Sequence, residues 1–411
     1  MIKNHSYILA GLCACALSFG LTPEWQRTNG LNGAYVSALI TYGTDLFAGT
    51  RDSGVYRSAD SGITWFAVNN GLTDVNVQAL VMHKENLFAG TANGGVFRSE
   101  DNGAHWYAMN TGISAFNVKA LAQNDTNIFS GTGGGGVCRS SDRGAHWLEV
   151  SNGLVFMNIY SIGINSRYIF AGTWGSSAFR SADNGLNWFL VTNGLPDPVE
   201  NIIPYCFAIG DTFVFTGTGG GGVFRGRDSA RVWFPMNSGL PDTASVTALI
   251  LSETDIFAAT QQGVFRSTDS GGTWAEVNTG LTGTIVYTFA VNGADLFAGT
   301  ENGIWKLPLT GFTTDVAGGA DGRSNISTLD QNFPNPFNPS TSIRYRLFAD
   351  GFVSLKAYDS HGKEVALLVH EIQSRGAYSS RFDASGLASG LYFYRLNTGD
   401  FSETKRMLLL R

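Results

Sequence analysis

The stretch that decides the fold lies between residues 77 and 106. It reads Val77-Gln-Ala-Leu-Val81, then Leu87-Phe-Ala-Gly-Thr91, then Gly95-Val-Phe-Arg-Ser99, and finally Asp101-Asn-Gly-Ala-His-Trp106. Short apolar runs punctuated by turn residues, with a further run opening at the tryptophan, predict four strands. The unit recurs along the chain. Junctions of the Asn-Gly-Leu kind place Gly30, Gly71, Gly112, Gly153, Gly194, Gly239 and Gly280 in register, at spacings of 41, 41, 41, 41, 45 and 41 residues. A four-stranded unit of this length cannot bury both faces by itself, so copies must stack, and radial closure protects their edges. The expected fold is all-β, a seven-bladed β-propeller over residues 21–309.

The two ends of the repeat array indicate how the ring closes. The seventh copy has three strands (Val286 to Ala290, Asp295 to Thr300, Gly303 to Leu307) and no fourth bearing a tryptophan. Trp25-Gln-Arg-Thr-Asn-Gly-Leu31 matches Trp274-Ala-Glu-Val-Asn-Thr-Gly-Leu281 with one residue fewer. The N-terminal segment is therefore expected to supply the missing strand of the last blade.

Composition narrows the class. Of 411 residues only 15% are charged, while 52 are glycine and 12% aromatic, a balance that suits turn-rich β-structure. The formal net charge is −6 and no run of Lys or Arg exists to neutralise a phosphate backbone, which argues against nucleic-acid binding. Outside the N-terminus no apolar run approaches the roughly 20 residues of a membrane helix, so none is expected in the mature protein. At the N-terminus, Lys3 precedes an apolar run from Tyr7 to Phe19 and small residues suited to cleavage after Ala16 or Gly20. This predicts a secretory signal peptide over 1–20. A rival lipoprotein site at Cys15 fits poorly with Cys13 upstream. Cleavage leaves Cys138 and Cys206, in different repeats, as two separate buried thiols.

Between the third and fourth strands runs Ser-x-Asp-x-Gly-x-x-Trp, as Ser58/Asp60/Gly62/Trp65, Ser99/Asp101/Gly103/Trp106, Ser140/Asp142/Gly144/Trp147, Ser181/Asp183/Gly185/Trp188 and Ser267/Asp269/Gly271/Trp274. A sixth copy keeps Asp228 and Trp233 without the Ser and Gly. Five intact copies in phase resemble the Asp-box, or BNR, repeat of sialidases, sortilin-type receptors and photosystem assembly factors, over residues 22 to 308. Physically, the carboxylate accepts turn N–H groups, the glycine allows positive φ, and the tryptophan packs into the blade. Six copies pointing outward around a ring cannot converge on one substrate, so these residues are expected to be structural. The same holds for Arg57, Arg98, Arg139, Arg180, Arg225 and Arg266, which share one repeat slot. The resemblance to sialidases would further require converging arginines, a Tyr/Glu pair and an Asp acid. Those cannot be picked out, the Arg-Ile-Pro element is absent, and the first strands carry Ser37, Gln78, Lys119, Tyr160, Tyr205, Thr247 and Tyr287 instead of channel carboxylates.

Other motifs carry little chemistry. Gly133 to Gly136 and Gly219 to Gly222 lack a following Lys-Ser/Thr and read as hairpin turns rather than phosphate cradles. No histidine has metal-ligand spacing, so neither metal nor cofactor is expected.

After Leu309 the period stops, and a Gly/Ala/Ser/Asp-rich linker is expected over 310–329. Then come Gln331-Asn-Phe-Pro-Asn-Pro-Phe-Asn-Pro-Ser-Thr341, Ile343-Arg-Tyr-Arg-Leu347, Val353-Ser-Leu-Lys-Ala-Tyr-Asp359, Gly362-Lys-Glu-Val365, Leu387-Ala-Ser-Gly-Leu-Tyr-Phe-Tyr-Arg-Leu396 and Lys405-Arg-Met-Leu-Leu-Leu-Arg411. Alternating strands broken by Gly, Pro and Asn predict a small Ig-like antiparallel sandwich over 330–411. The segment closely resembles the type A C-terminal sorting domain of the type IX secretion system. That resemblance implies export through the outer membrane by that machinery, proteolytic removal of the tail, and often attachment to surface lipopolysaccharide.

The reading that follows is a secreted or surface-displayed, non-enzymatic propeller that binds protein or glycan. The alternative is a secreted glycoside hydrolase or lyase of the Asp-box propeller type. Loops joining successive blades, and loops between second and third strands, are expected on one face, opposite the Asp boxes. Two aromatics break the repeat there: Phe156 stands where other copies have Gly33, Asp74 and Ala115, and Trp174 where they have Arg51, Ala92, Gly133, Gln261 and Glu301. Both are candidate ligand anchors. Asp74, Asp197 and Glu200 are candidate hydrogen-bonding partners on the same face. Phe116 is set aside, because Val75 and Met157 fill its slot and imply packing.

Overall fold

The computed structural model describes residues 23–410 apart from 176, 196–202, 211, 228, 253–254, 283–284, 311, 313–326, 333, 348–350, 374–375 and 399–400. The expected signal peptide, Asp197, Glu200 and Asp228 therefore lie outside the described residues.

Seven four-stranded antiparallel sheets follow one another in chain order. Blades 1 to 6 span 36–67, 77–108, 118–149, 159–190, 204–235 and 246–276, and blade 7 spans 286–308. The outer strand of blade 7 is Gln26–Arg27, paired antiparallel with Gly303–Pro308 through Gln26↔Lys306 and Arg27↔Trp305. The expected closure by the N-terminus is thus present. Each inner strand touches the inner strands of both neighbours, and Val36–Tyr42 against Val286–Asn292 completes the ring.

The repeated residues explain the stacking. Phe47, Phe88, Phe129, Phe170, Phe215, Phe257 and Phe297 occupy one slot of the second strand and are all essentially inaccessible. Each contributes about 1.5–3 kcal/mol of transfer free energy on full burial. Beside them, the glycine of Ala-Gly-Thr lets the next blade come close: a Cβ on Gly49 would lie 2.6 Å from Val77 Cγ1, and one on Gly299 would lie 2.7 Å from Val36 Cγ1. The threonine hydroxyl then closes the hairpin by donating to a backbone carbonyl, as in Thr50 Oγ1 to Gly54 O at 2.9 Å and Thr91 Oγ1 to Gly95 O at 3.1 Å.

The C-terminal region is a two-sheet sandwich. One sheet has the order Thr328–Leu329, Ser340–Leu347, Gly376–Asp383; the other has Glu364–Gln373, Gly351–Tyr358, Gly390–Thr398, Phe401–Leu409. Thr328–Leu329, at the end of the 310–329 segment, pair with Tyr345 and Arg346. Inward-facing Ile343, Tyr345, Leu355, Tyr394, Leu396 and Met407 share one core. Phe337 covers the edge of the last strand, its N–H donating to Leu408 O while its carbonyl accepts from Leu410 N.

Candidate ligand-binding site

The Ser-x-Asp-x-Gly-x-x-Trp turns form one recurring network. In blade 3, Ser140 Oγ donates to Asp142 Oδ1 at 2.9 Å and accepts from Gly144 N at 2.8 Å. The carboxylate also accepts from His146 N at 2.9 Å and meets His146 Nδ1 at 2.8 Å. These bonds hold the Asp142 carboxyl down at about 2, and those from Thr64 and Ser58 hold Asp60 at about 2. The turn glycine has φ near +83° at Gly62 and Gly144, and a Cβ there would strike Phe297 or Phe88 of the preceding blade. Blade 5, which has lost the motif glycine, makes its turn with Ala230 at φ +46°. Tryptophan completes the contact: Trp106 Nε1 donates to Val68 O at 2.7 Å and Trp147 Nε1 to Met109 O at 2.8 Å, each across the blade boundary. Every polar atom of the motif is directed at backbone or at its own turn, so its geometry is that of a fastener between blades.

The expectation that every copy points its carboxylate outward is corrected at Asp269, which is buried in blade 6 with only 8% of its surface exposed. Its two oxygens are matched inside the turn. Oδ1 accepts from Ser267 Oγ at 2.8 Å and Thr273 N at 2.7 Å, and Oδ2 accepts from Thr273 Oγ1 at 2.8 Å. A carboxylate satisfied in this way can leave water without stranding an acceptor, so the same network serves at the surface in Asp142 and under cover in Asp269. Burial of this copy strengthens the structural reading, since a covered carboxylate offers nothing to a ligand.

The opposite face is different. Every inner strand carries a β-bulge at the same register, between the pairs that begin Val36↔Thr50 and Ala38↔Gly49 in blade 1. The bulged residues are Ser37, Gln78, Lys119, Tyr160, Tyr205, Thr247 and Tyr287, and they ring the mouth of the central channel. Bulges re-aim side chains, and here the residues that the repeat does not prescribe are gathered in one place. Tyr160 is at the centre of a cluster. Its ring centroid is 5.9 Å from that of Tyr205 and 6.0 Å from that of Trp174, and Lys119 Nζ stands 3.9 Å over it. Across the mouth, Tyr35 and Tyr287 stack at 4.4 Å with the Arg51 guanidinium 3.9 Å over Tyr35. Burial raises the Tyr160 hydroxyl and lowers the Lys119 ammonium from their ordinary values.

Trp174 and Phe156 both lie on this face. Trp174 is 47% exposed, and its N–H donates to Asn158 O, the bond that Arg51, Ala92, Gly133 and Gly219 make to the residues equivalent to Asn158. Trp174 and Arg51 therefore occupy one slot of two blades. Phe156 lies over the turn glycine next to Trp174, since a Cβ on Gly175 would be 2.8 Å from its ring. Asp74 is on the same face, but its carboxylate is engaged by Asn76 N at 3.1 Å, Asn93 N at 2.7 Å and Gly94 N at 2.8 Å. The expectation that the Phe116 slot packs inward is corrected for Phe116 and Val75, which are 53% and 40% exposed, while Met157 is half-buried over the Gly136 turn. The slot's constant feature is its backbone carbonyl, which accepts from Gly54 N, Gly95 N and Gly136 N. The tyrosine and cation neighbours of Trp174 were visible in the sequence as the list of first-strand residues. Their convergence was not, because it depends on the bulge.

Among the described residues no group of three or more His, Cys, Asp or Glu side chains is placed to hold a metal ion. No helix among them is long and apolar enough to cross a membrane. Cys138 and Cys206 are both free.

Residues 331–409 match the family described as the secretion system C-terminal sorting domain. The tail is a type IX sorting domain. It marks the chain for delivery to the cell surface or the extracellular space. No curated protein matches the chain. Among solved structures, a GH74 xyloglucanase from Xanthomonas campestris superposes with a TM-score of 0.57 at 19% identity, over 71% of this chain and 54% of that one. YCF48 bound to a D1 peptide gives 0.57 at 14% identity, over 71% and 97%. PorZ, a surface component of the type IX secretion system of Porphyromonas gingivalis, gives 0.53 at 16% identity, over 92% and 60%. The chain thus spans little more than half of the xyloglucanase and of PorZ. At these identities the likeness establishes the propeller fold and nothing finer.

Proposed function

We propose that this chain is a non-enzymatic carbohydrate-binding propeller of the Asp-box type, displayed on or released from the cell surface. On this reading residues 1–20 are a signal peptide, 21–309 the propeller, 310–329 a linker, and 330–411 the part that engages the type IX machinery and is then removed. The observation that carries it is Trp174: half-exposed, set in a repeat slot that other blades fill with small or polar residues, and flanked by Tyr160 and Phe156. A sugar ring stacks its apolar face on such aromatics, while tyrosine hydroxyls and loop amides bond its edge. Asp74 is held by three backbone N–H groups and leaves the set.

A glycan array and titration calorimetry on the purified full-length protein test this. Trp174→Ala is expected to weaken the identified glycan about tenfold, or roughly 1.4 kcal/mol, without changing the melting temperature. Phe156→Ala should do so to a smaller degree. Binding that survives both substitutions would place the site elsewhere. Product release from the bound glycan would instead support the alternative, a glycoside hydrolase or lyase on the same fold.

A further inference from the structure

We infer that the channel mouth is built for an acidic polysaccharide, one whose sugar units carry carboxylates, with Lys119 as the residue that reads the charge. This rests on the reading of the mouth as a carbohydrate site and names the class of carbohydrate.

The cations at the mouth are in an unusual position for this molecule. Elsewhere in the propeller the repeat arginines are spent on structure: Arg57 and Arg266 on Asp45 and Asp255, and Arg98, Arg139, Arg180 and Arg225 on carbonyls of the next blade. Lys119 and Arg51 have no such partner. Among the described residues neither lies within 4 Å of a carboxylate, and each rests on a tyrosine ring at 3.9 Å. Asp74, the carboxylate on this face that sequence singled out, spends its oxygens on three backbone N–H groups, and Glu301 acts on Tyr35, on the Arg51 side of the mouth.

The Lys119 stem crosses the Gly133 turn. Its Cε would lie 3.3 Å from a Cβ on Gly133, so the bare glycine turn gives the side chain its channel across the loop. A cation held over an aromatic in partly desolvated surroundings, with no carboxylate in contact among the described residues, is an incomplete ion pair. The group that completes it must arrive with a flat apolar body for Tyr160 and Trp174 and a carboxylate at its edge. A uronic acid has both on one ring. The overall charge of −6 would repel a polyanion at long range, so attraction must come from these local cations.

Polygalacturonate and its fully methyl-esterified form test the inference, since they share the sugar and differ in the charge. With the purified full-length protein at low salt, the acid is expected to bind at least tenfold tighter than the ester, with the ratio shrinking towards one as salt is raised. Lys119→Met should remove most of the acid's preference over the ester, Lys119→Arg should retain it, and Arg51→Gln should reduce it by a smaller amount. Equal binding of acid and ester that still depends on Trp174 would overturn the charge inference and leave the carbohydrate reading standing. Failure of every glycan would remove both. Equal affinity for poly-glutamate, or for dextran sulfate irrespective of Lys119, would show a site that reads charge without sugar and would also overturn the proposal. If Lys119→Met does not fold, the wild-type acid-to-ester ratio and the Arg51→Gln variant still decide.

Discussion

Blades 2 to 5 and the sector made of blades 6, 7 and 1 are built from the same repeat, yet they fasten to their neighbours differently. In blades 2 to 5 the repeat arginine reaches across the boundary to a carbonyl of the next blade's turn: Arg98 to Arg143 O at 2.9 Å, Arg139 to Asn184 O at 2.9 Å, Arg180 to Ser229 O at 2.6 Å and Arg225 to Ser270 O at 3.0 Å. In blades 1, 6 and 7 the same slot turns back on its own blade, as Arg57 to Asp45, Arg266 to Asp255 at 2.6 Å, and Lys306 to Asp295 at 2.8 Å. The residue opposite the cation decides between them. Where the second strand opens with Asp, the carboxylate captures it. Where the equivalent residue is Asn86, Asn127, Tyr168 or Phe213, the guanidinium is left to look outward, over the ring of Tyr168 at 4.6 Å or Phe213 at 4.7 Å. One side chain thus redirects a fastener from within a blade to between blades.

The boundary between blades 7 and 1 lacks the second fastener too. Trp25, Trp106, Trp147, Trp188, Trp233 and Trp274 each donate Nε1 to a carbonyl of the preceding blade, whereas Trp65 bonds within its own turn to Gly62 O at 3.2 Å. The N-terminal segment is one residue shorter than its equivalents, and Thr28 is drawn to Ile304 O through both its N–H and its hydroxyl. That boundary is held by the Val36 contact on Gly299, the shared core of Trp65 with Phe297 and Ile304, the Gly303 N bond to Ala34 O at 2.9 Å, the Tyr35–Tyr287 stack, and Asn292 Nδ2 on Thr44 O at 3.0 Å. The ring is closed by packing more than by polar fasteners.

The largest effect should therefore come from the N-terminal strand. Deleting residues 22–29 removes the Trp25 contact and exposes the edge of Gly303–Pro308, and is expected to cost on the order of 3–5 kcal/mol or more. An unchanged melting temperature would show that the ring does not depend on its N-terminal closure. Next in size is a paired tryptophan test. Trp106→Phe strands the Val68 carbonyl at a blade boundary and should cost about 1–3 kcal/mol, while Trp65→Phe should cost clearly less. Equal losses in urea titrations would contradict the difference between the two boundaries.

Smaller again is the arginine comparison. Arg139→Met breaks an exposed charge-assisted bond to a carbonyl and is expected to cost no more than about 1 kcal/mol; Arg57→Met leaves the largely buried Asp45 without its partner and should cost more, about 1–2 kcal/mol. The redirecting role of the strand-opening residue can be tested directly. Asn127→Asp should pull Arg139 back onto its own blade, so that a following Arg139→Met costs about what Arg57→Met does. An Arg139→Met loss no larger than in the wild-type background would contradict the capture mechanism.

The propeller and its closure were legible because seven copies repeat the same information: a glycine or tryptophan that recurs in phase has one geometric reason to recur. The direction of each arginine was not legible, since it depends on a cross-strand neighbour that varies from Asp45 to Phe213. Nor was the burial of Asp269, because the motif specifies the hydrogen bonds of its carboxylate and not what covers them. The mouth was legible in part. Trp174 stood out as a break in a slot, and the structure places it there beside Tyr160. Lys119 and Arg51 are single-copy residues on a bulge and a loop, and no period predicts what a bulge will turn towards. Phe116 erred in the opposite direction, because apolar residues sharing a loop slot can share a backbone bond while their side chains remain in water.

The smallest expected effect is on the acid limb of stability, and it compares one motif copy from each sector. Asp60 and Asp142 are both held at about 2 by hydrogen bonds to their own turns, below the roughly 3.9 of an unfolded aspartate. A carboxyl whose folded value is depressed stabilises fully above the unfolded value, and loses that contribution as pH falls through the interval down to about 2. Asp60→Asn and Asp142→Asn should therefore melt a degree or two lower than wild type at pH 7, on the order of what a surface network supplies in a domain of this size. Their curves should meet that of wild type near pH 2. Curves that stay parallel across the range would mean that the charge on these carboxylates contributes nothing to holding the turns. If the curves converge for both variants, with the larger loss in Asp60→Asn, the turn of blade 1 matters more because neither an arginine nor a tryptophan N–H fastens it to blade 7.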